Sequence, residues 1–584
     1  PDSQLGRLAS QPCPSPLRAC AQHMGCKNSK EGYGDSTLDA SDVKVLDKEN
    51  GPGTPKDKSA HTYDSDIQTR HNTQHKSFSE ALVHRNMKNL HEIYDVDEAH
   101  VLGRGACGSV CVVRKRANLD EVFAMKTVAV DGPGGMSLGQ SIEELRKEIE
   151  IQRSLDHPNI ARIFEYFEDP QHSQMHIIME LCRGGALVSR MKTHRNGYGE
   201  RAAATLVYKM LSAILYCHNN GVVHRDLKLD NFIYEDERED AELKLIDFGF
   251  AAEVAPGNEW MWEQIGTPSY MSPELWADFS KAYDSSVDMW AIGVCAYMLL
   301  SGKRPFHHQD RKEKKRMIQN DPVRFSSAEW DRITPHAKDF CLQLMQKDPK
   351  KRLSASQALA HPWIKNMAGV RGGGNTPREE IQQHSDIVAN LEEFAKADNM
   401  RKVAMEVIAF STPPAKLDEL RDLFVKMDEN ASGTLSEAEF VKAMVGTYHE
   451  EEAKRLFRLI DVNDSKEIEY MEFLGAAMSK RTTSMKPSLM SAFSILDRDG
   501  NGIISKEELL AILGDDCTDE EINDMIKQSG GTTGINFEQF KHLMLRDMSS
   551  MQRAKAWQSA SRITAIAQSR LSSSSMQSPS EKKQ

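Results

Sequence analysis

The spacing of apolar and polar positions changes character several times along the chain. Up to residue 95 no period is sustained. Ser, Asp, Lys, His, Gly and Pro dominate there and aromatics are few, which predicts an unstructured arm. Between 96 and 364, short β-branched and apolar runs (Val110–Val113, Phe123–Val128, His176–Glu180) predict strands. They alternate with helical patterns, among them Ser141–Leu155 and Trp290–Leu300. The second of these is apolar throughout but too short to span a bilayer, so it reads as a buried core helix. A Gly-rich break follows at Arg371–Asn375. Within a linker at 365–416, Ile387, Leu391, Phe394, Val403 and Ile408 predict an amphipathic helical stretch over 384–410. From 417 to 546 a helix–loop–helix unit recurs, the first acids of its loops standing at 428, 461 and 497. A helical solenoid has comparable spacing, and the chemistry of the loops decides between the two. The tail at 547–584 is Ser-rich and basic.

A chain of 584 residues exceeds what one hydrophobic core organises, so several domains are expected. The net charge of −12 argues against a dedicated nucleic-acid binder and directs attention to acidic loops. Ten scattered cysteines form no CxxC pair, which reads as reduced, cytoplasmic usage. Cys107 and Cys111, four residues apart, read as strand or loop residues rather than a redox pair.

Residues Leu102-Gly-Arg-Gly-Ala-Cys-Gly-Ser-Val110 place Gly103, Gly105 and Gly108 where backbone can approach phosphates without a Cβ in the way. A dinucleotide-binding unit would continue into a helix. Here the run continues into a strand that ends at Lys126, a point charge suited to ATP phosphates. Leu102 and Val110 bracket this nucleotide loop. Glu148, on the helix that follows, is the expected partner of Lys126, with Glu143, Glu144 and Glu150 as rivals. In His224-Arg-Asp-Leu-Lys-Leu-Asp-Asn231, Asp226 suits a base that orients and deprotonates a hydroxyl, Lys228 can neutralise a moving phosphoryl group, and Asn231 can hold magnesium. Asp247-Phe-Gly249 supplies the main magnesium carboxylate, Ser-Pro-Glu274 closes the segment, and Asp288 and Arg352 stand as buried supports.

These motifs, in order over about 270 residues, resemble a eukaryotic protein kinase. The resemblance implies an α+β, two-lobed fold with ATP between the lobes, Met179 as gatekeeper, and Glu180 to Cys182 as the hinge that meets adenine. Thr267-Pro-Ser-Tyr270 implies Ser/Thr rather than Tyr acceptors. Ser-Pro-Glu274 in place of Ala-Pro-Glu is a minor departure from the family pattern, and two further features bear on substrate choice and control. Ala186 occupies a hinge position where many relatives carry a Glu that contacts ribose or a substrate arginine. Between Asp247 and Thr267 there is no Ser, Thr or Tyr to phosphorylate, so Glu259 or Glu263 would act as a fixed negative charge facing Arg225.

Calcium takes side-chain oxygens at positions 1, 3 and 5 of a 12-residue loop, a backbone oxygen at 7 and a bidentate Glu at 12, with Gly at 6. The loop 428–439 offers Asp428, Asn430, Ser432, the Thr434 backbone and Glu439. The loop 497–508 offers Asp497, Asp499, Asn501, the Ile503 backbone and Glu508. The loop 461–472 offers Asp461, Asn463, Ser465, Glu467 and Glu472, but Lys466 replaces Gly at position 6, which predicts strain and weaker binding. At 528–539 the corresponding positions are Gln528, Gly530, Thr532 and Gln539, a unit expected to pair structurally without binding calcium.

The segment 417–546 resembles calmodulin, with four EF-hands. The whole order, arm (1–95), kinase (96–364), junction (365–416), hands (417–546) and tail, is similar to the calcium-dependent protein kinases of plants and apicomplexan parasites. That resemblance implies a calcium-activated Ser/Thr kinase using ATP, Mg2+ and Ca2+ on protein substrates. It also implies a junction that inhibits the kinase at low calcium and is taken up by the hands when calcium binds. Met24-Gly-Cys-Lys-Asn-Ser fits an N-myristoylation pattern if Met24 is the true start. Gly25 acylation with Cys26 palmitoylation would then tether a cytoplasmic protein to membrane. In the tail, Trp557, Ile563, Ile566 and Leu571 are interspersed with Arg553, Lys555, Arg562 and Arg570. They read as a second helix for the hands, a membrane-surface segment or a disordered, phosphorylatable tail.

Overall fold

The computed structural model describes residues 78–545, except 106–107, 131–140, 256, 258–259, 278–281, 327, 369–375, 384, 479–485 and 514–517. The acylation pattern at Gly25 and Cys26, Cys107, Glu259, the Gly-rich break and the basic tail all lie outside the described residues.

Residues 78–93, expected within the unstructured arm, instead carry helix α1 (Phe78–Leu82), strand β1 (His84–Arg85) and helix α2 (Leu90–Ile93). Leu82, Val83 and Leu90 are buried. Three apolar residues in so short a run are too few for a composition argument to register, and their burial depends on partners far along the chain.

Strands β2 (Tyr94–Gly105), β3 (Gly108–Lys115), β4 (Asn118–Ala129), β5 (Ile163–Asp169) and β6 (Gln174–Met179) join β1 in a six-stranded sheet of order β1-β5-β6-β4-β3-β2. All neighbours are antiparallel except β1 and β5. Helix α3 (Ile142–Arg153) opens with a capping box between Ser141 and Glu144 and packs on this sheet through Leu145 and Ile149.

The larger lobe is helical around a second core, which also takes in Ala431 of the loop 428–439. Helix α4 (Glu200–Asn219) packs against α5 (Ser286–Ser301), which is buried along its length, as the apolar run Trp290–Leu300 predicts. Between them runs the catalytic stretch, ending in a hairpin of β7 (Phe232–Tyr234) and β8 (Leu243–Leu245).

The stretch expected at 384–410 is two helices, α6 (Ser385–Lys396) and α7 (Asn399–Ser411). Asp398 interrupts them because its side chain accepts the Arg401 N–H at 2.9 Å and so starts a new helix. Helix α7 is buried from Met400 to Phe410, far beyond an amphipathic stripe.

Four helix–loop–helix units follow. They pair α8 (Asp418–Met427) with α9 (Glu437–Met444), α10 (Glu450–Ile460) with α11 (Tyr470–Ala477), α12 (Lys486–Leu496) with α13 (Lys506–Leu513), and α14 (Asp519–Gln528) with α15 (Phe537–Leu545). Their loops couple two by two through short antiparallel ribbons, Leu435 opposite Ile468 and Ile504 opposite Ile535. One hydrophobic core is shared by Leu145, Ile149 and Ile163 of the small lobe, by Val403 and Phe410 of α7, and by Phe424, Phe473, Phe493 and Phe540 of the four units.

Candidate active site and calcium-binding loops

Lys126 sits on β4 opposite Val110 and Ile177, and its ammonium reaches Glu148 Oε1 at 2.7 Å and Asp247 Oδ1 at 3.3 Å. Burial works against the charge on Lys126. Glu148 and then Asp247 outweigh it and hold the pKa above the ordinary lysine value. Glu148 is the partner among the four candidate acids because Leu145 and Ile149, on the same helical face, anchor that side of α3 in the core. Asp247 is held below the usual carboxylate range: burial opposes its ionisation, but Lys126, His224 and Lys228 favour it.

Asp226 is 4% exposed, and both of its oxygens are engaged. Oδ1 accepts from the backbone N–H and the hydroxyl of Thr267, each at 2.7 Å, and Oδ2 accepts from Lys228 at 2.5 Å. Lys228 also reaches the Thr267 hydroxyl at 3.3 Å, and Asn231 donates its amide to the Asp226 carbonyl at 3.0 Å. Arg225 takes a left-handed backbone, φ 68°, an arrangement costing roughly 1–2 kcal/mol for a residue with a Cβ. Asp288 holds it there by accepting the N–H groups of His224 at 2.9 Å and Arg225 at 2.8 Å. The guanidinium of Arg225 then meets Glu263, so one of the two predicted acids faces it. Arg352 pairs with Glu274 at 2.7 Å.

The nucleotide loop shows why Gly stands at two of its positions. A Cβ on Gly108 would lie 1.9 Å from the Thr127 carbonyl oxygen, whereas one on Gly103 would meet open space. Gly108 is thus demanded by strand contact, while Gly103 leaves room for a ligand. Leu102 is exposed, and Val110 is half-buried on β3. Gly105 ends β2 opposite Gly108. Met179 ends β6 opposite Ala124, and Cys182 is buried just beyond. The Glu180 carboxylate does not face the cleft: it forms a buried ion pair with Lys244 at 2.9 Å, and its own N–H donates to Arg162 O. No local signal marks Lys244 as that partner, because it lies 64 positions away.

The first three loops share a backbone signature. Left-handed residues fall at loop positions 4 and 6 each time: Ala431 and Gly433, Asp464 and Lys466, Gly500 and Gly502. Lys466 carries φ 73°, the strain its position implies, and its ammonium pairs with Asp464 rather than entering the loop. In each loop the closing Glu folds back onto backbone. Glu439 accepts from Glu429 N–H at 2.9 Å, Glu472 from Val462 N–H at 3.0 Å, and Glu508 from Asp499 N–H at 3.2 Å. The first Asp of each loop accepts from position 6, at Gly433, Lys466 and Gly502 respectively.

Oxygens of Asp497, Asp499 and Glu508 lie within 4.8 Å of one another, a set that suits a hard cation. Ser432 and Ser465 hydroxyls donate to the Thr434 and Glu467 carbonyls, so the position-5 and position-7 oxygens already converge. Asn430 and Asn463 present their side-chain oxygens to the N–H groups of Ser432 and Ser465 at 2.8 and 3.0 Å, and Asn501 offers its own to Ile503 N–H at 2.8 Å. Burial, with neighbouring carboxylates adding to it, pushes Asp428 up to about 7 and Asp461 up to about 6. In the fourth unit, left-handed backbone occurs only at Gly530, loop position 3, and the Gln539 amide donates to the Gly530 carbonyl at 2.7 Å. That carboxamide closes its loop with a direct hydrogen bond.

Sequence reasoning did not find the contacts that join these halves. Arg162 donates to the Phe410 carbonyl at 3.0 Å, and Asp156 accepts the Met471 N–H at 2.7 Å, at the start of α11. Arg421 of α8 pairs with Glu235 at 2.8 Å, and Arg238 with Asp418 at 3.1 Å. Ser491 donates to Glu121 at 3.1 Å. A Cβ on Gly433 would lie 2.5 Å from His157, so the first loop presses on the larger lobe. Each such pair spans more than 170 positions, beyond any local sequence signal.

Comparison with known proteins agrees with this geometry. Residues 96–364 match the protein kinase domain family, and 420–445 and 488–517 match EF-hand families. Calcium-dependent protein kinase 11 of Oryza sativa subsp. japonica is 32% identical over 80% of this chain and 78% of its own length. Calcium-dependent protein kinase 34 of Arabidopsis thaliana is 34% identical over 76% of this chain and 83% of its own. Calcium-dependent protein kinase 2 of Zea mays is 32% identical over 71% and 79%. An assembled lysine–glutamate–aspartate cluster, calcium-type loops packed on its lobes, and relatives that align across both halves place the chain in the calcium-dependent protein kinase family, as a calcium-activated serine/threonine kinase that uses ATP, Mg2+ and Ca2+.

Proposed function

We propose that this arrangement is the released, catalytically competent state, in which the hands hold the junction away from the cleft. The observation that carries this is the location of α7. It is buried among α11, α12 and the small lobe, with its C-terminal carbonyl held by Arg162. Meanwhile, among the described residues, none of the hydrogen bonds and ion pairs of Lys126, Asp226, Lys228, Asn231, Asp247 and Thr267 reaches the junction or the hands. Because α3 shares its core with α7 and the hands, a change in how the hands grip α7 acts on the helix that carries Glu148.

In the cleft, Asp226 takes the acceptor hydroxyl into the position that Thr267 Oγ1 now fills beside it, orients it and receives its proton. Lys228 then offsets charge on the transferring phosphoryl group, and Lys126, fixed by Glu148, steadies the phosphates of ATP. Asn231 and Asp247 would hold Mg2+, which neutralises charge on the phosphates when bound. Glu263 supplies permanently the anion that many kinases obtain by phosphorylation, so control passes to calcium. At low calcium the junction, released by the hands, would occupy the substrate side of the cleft. Acylation at Gly25 and Cys26 would add membrane attachment.

The test is phosphotransfer to a Ser-containing peptide, with Mg2+ and ATP, across a free-calcium titration of the full chain. A steep rise within about 10⁻⁷–10⁻⁵ M is expected. Equal activity at all calcium levels would remove the switch and leave the kinase.

A further inference from the structure

Trp260 and Trp262 are 50% and 44% exposed, on a segment that is firmly held. Met261 between them is buried, and its N–H and C=O both pair with Tyr283, at 2.9 Å each. The Tyr283 hydroxyl donates to the Glu263 carbonyl at 2.8 Å, and the Glu263 carboxylate meets Arg225. In extended chain successive side chains alternate, so burying Met261 turns both indoles outward on one side. Two tryptophans presented to water on an anchored strand gain nothing for the fold, and tryptophan is the residue most favoured at binding hot spots.

The segment itself carries acids and no bases. From Asp247 to Glu274 there is no Lys, Arg or His; Asp247, Glu263 and Glu274 are already paired with Lys126, Arg225 and Arg352, which leaves exposed Glu253 and, in the sequence, Glu259 next to Trp260. A pair of exposed indole faces suits a cation, since the ring face attracts Arg or Lys, and Glu253 and Glu259 add acidic charge to the same stretch of chain. The distance is also suitable. Trp262 precedes Thr267 by five residues and Trp260 by seven, and the Thr267 hydroxyl is 2.7 Å from Asp226, so the two indoles lie within about 17 and 23 Å of the acceptor site at ~3.3 Å per residue.

We propose that Trp260 and Trp262 form a docking platform for an arginine- or lysine-bearing segment of the protein substrate, within about five to seven extended residues of the phospho-acceptor. This rests on the protein kinase reading. It makes the two tryptophans determinants of substrate selection rather than catalytic residues.

The test compares two peptides with one acceptor Ser and the same core. One carries Arg at three to six residues on either side, and the other carries Gln there. The full chain at saturating calcium should prefer the Arg peptide, chiefly through KM. In W260A/W262A, kcat/KM for the Arg peptide should fall roughly tenfold with kcat nearly unchanged, while the Gln peptide is turned over as before. W260F/W262F should restore most of the preference. Unchanged turnover of the Gln peptide keeps the kinase reading intact whichever way the preference falls.

Three results would overturn the proposal. One is an equal preference in wild type and W260A/W262A, or none in either. Another is an equal loss on both peptides, which would assign the indoles to holding the segment. The third is a preference left unchanged while calcium-free activity rises, which would give the platform to the inhibitory junction instead.

Discussion

Arg421 and Glu235 join the first calcium unit to the hairpin that follows the catalytic loop, and both side chains are about 95% removed from solvent, at 5% and 6% exposure. Removing one partner of a buried pair costs about 3–5 kcal/mol because the other charge is left buried. Here the loss is smaller. Burial already raises the Glu235 pKa, but Lys244 also favours its ionised form, so Arg421→Met leaves Glu235 partly compensated and about 2 kcal/mol is the expected loss. That corresponds to roughly 30-fold in the equilibrium between docked and undocked hands. If docking accompanies the active state, calcium must make up the difference. The midpoint of calcium activation then rises about threefold when three loops load together, and up to about 30-fold if a single loop controls docking. The assay is peptide phosphorylation against buffered free calcium, with amide exchange in α8 as a structural readout. E235M/R421M, which removes both charges, should return the midpoint to within about twofold of wild type, since nothing is left buried and unpaired. A midpoint unmoved by Arg421→Met, or a double variant worse than the single one, would refute the argument that this contact carries the coupling.

Three further outcomes follow from the same geometry. Asp428 is raised to about 7, so below that pH the free protein holds a proton that calcium must displace. Calcium affinity of the first loop, followed by isothermal titration, should therefore fall roughly tenfold from about pH 8 to about pH 6. Lys466→Gly removes a side chain from left-handed backbone and should stabilise the second loop by about 0.5–1 kcal/mol while tightening calcium there; a lower melting temperature would contradict this. Glu263→Ala takes the fixed anion from Arg225 and should lower kcat roughly 3- to 10-fold at saturating calcium with calcium binding unchanged, as read by steady-state kinetics beside a calcium titration.

Much of the chemistry was legible in the residues. The order Gly103, Lys126, Glu148, Asp226, Asn231, Asp247 specifies phosphoryl transfer because each role demands one residue type at a set distance along the chain. The calcium loops are legible for a similar reason: twelve consecutive residues supply all the ligands, so spacing in sequence is spacing in space. Even the strain at Lys466 could be foreseen, because position 6 of such a loop needs a left-handed residue whatever surrounds it.

Tertiary structure decided the rest. That Glu148 and not Glu144 meets Lys126 depends on which face of α3 the core accepts. The predicted helical stretch at 384–410 divides at Asp398, and its second half is buried on all sides because helices from both pairs of calcium units and the small lobe close around it. The order of residues 78–93, the Lys244–Glu180 pair and the Arg421–Glu235 contact likewise depend on segments far apart in the chain. A catalytic or metal-binding motif is written locally because its geometry is local. The contacts that join the calcium units to the kinase lobes have partners chosen only when segments far apart in the chain come together.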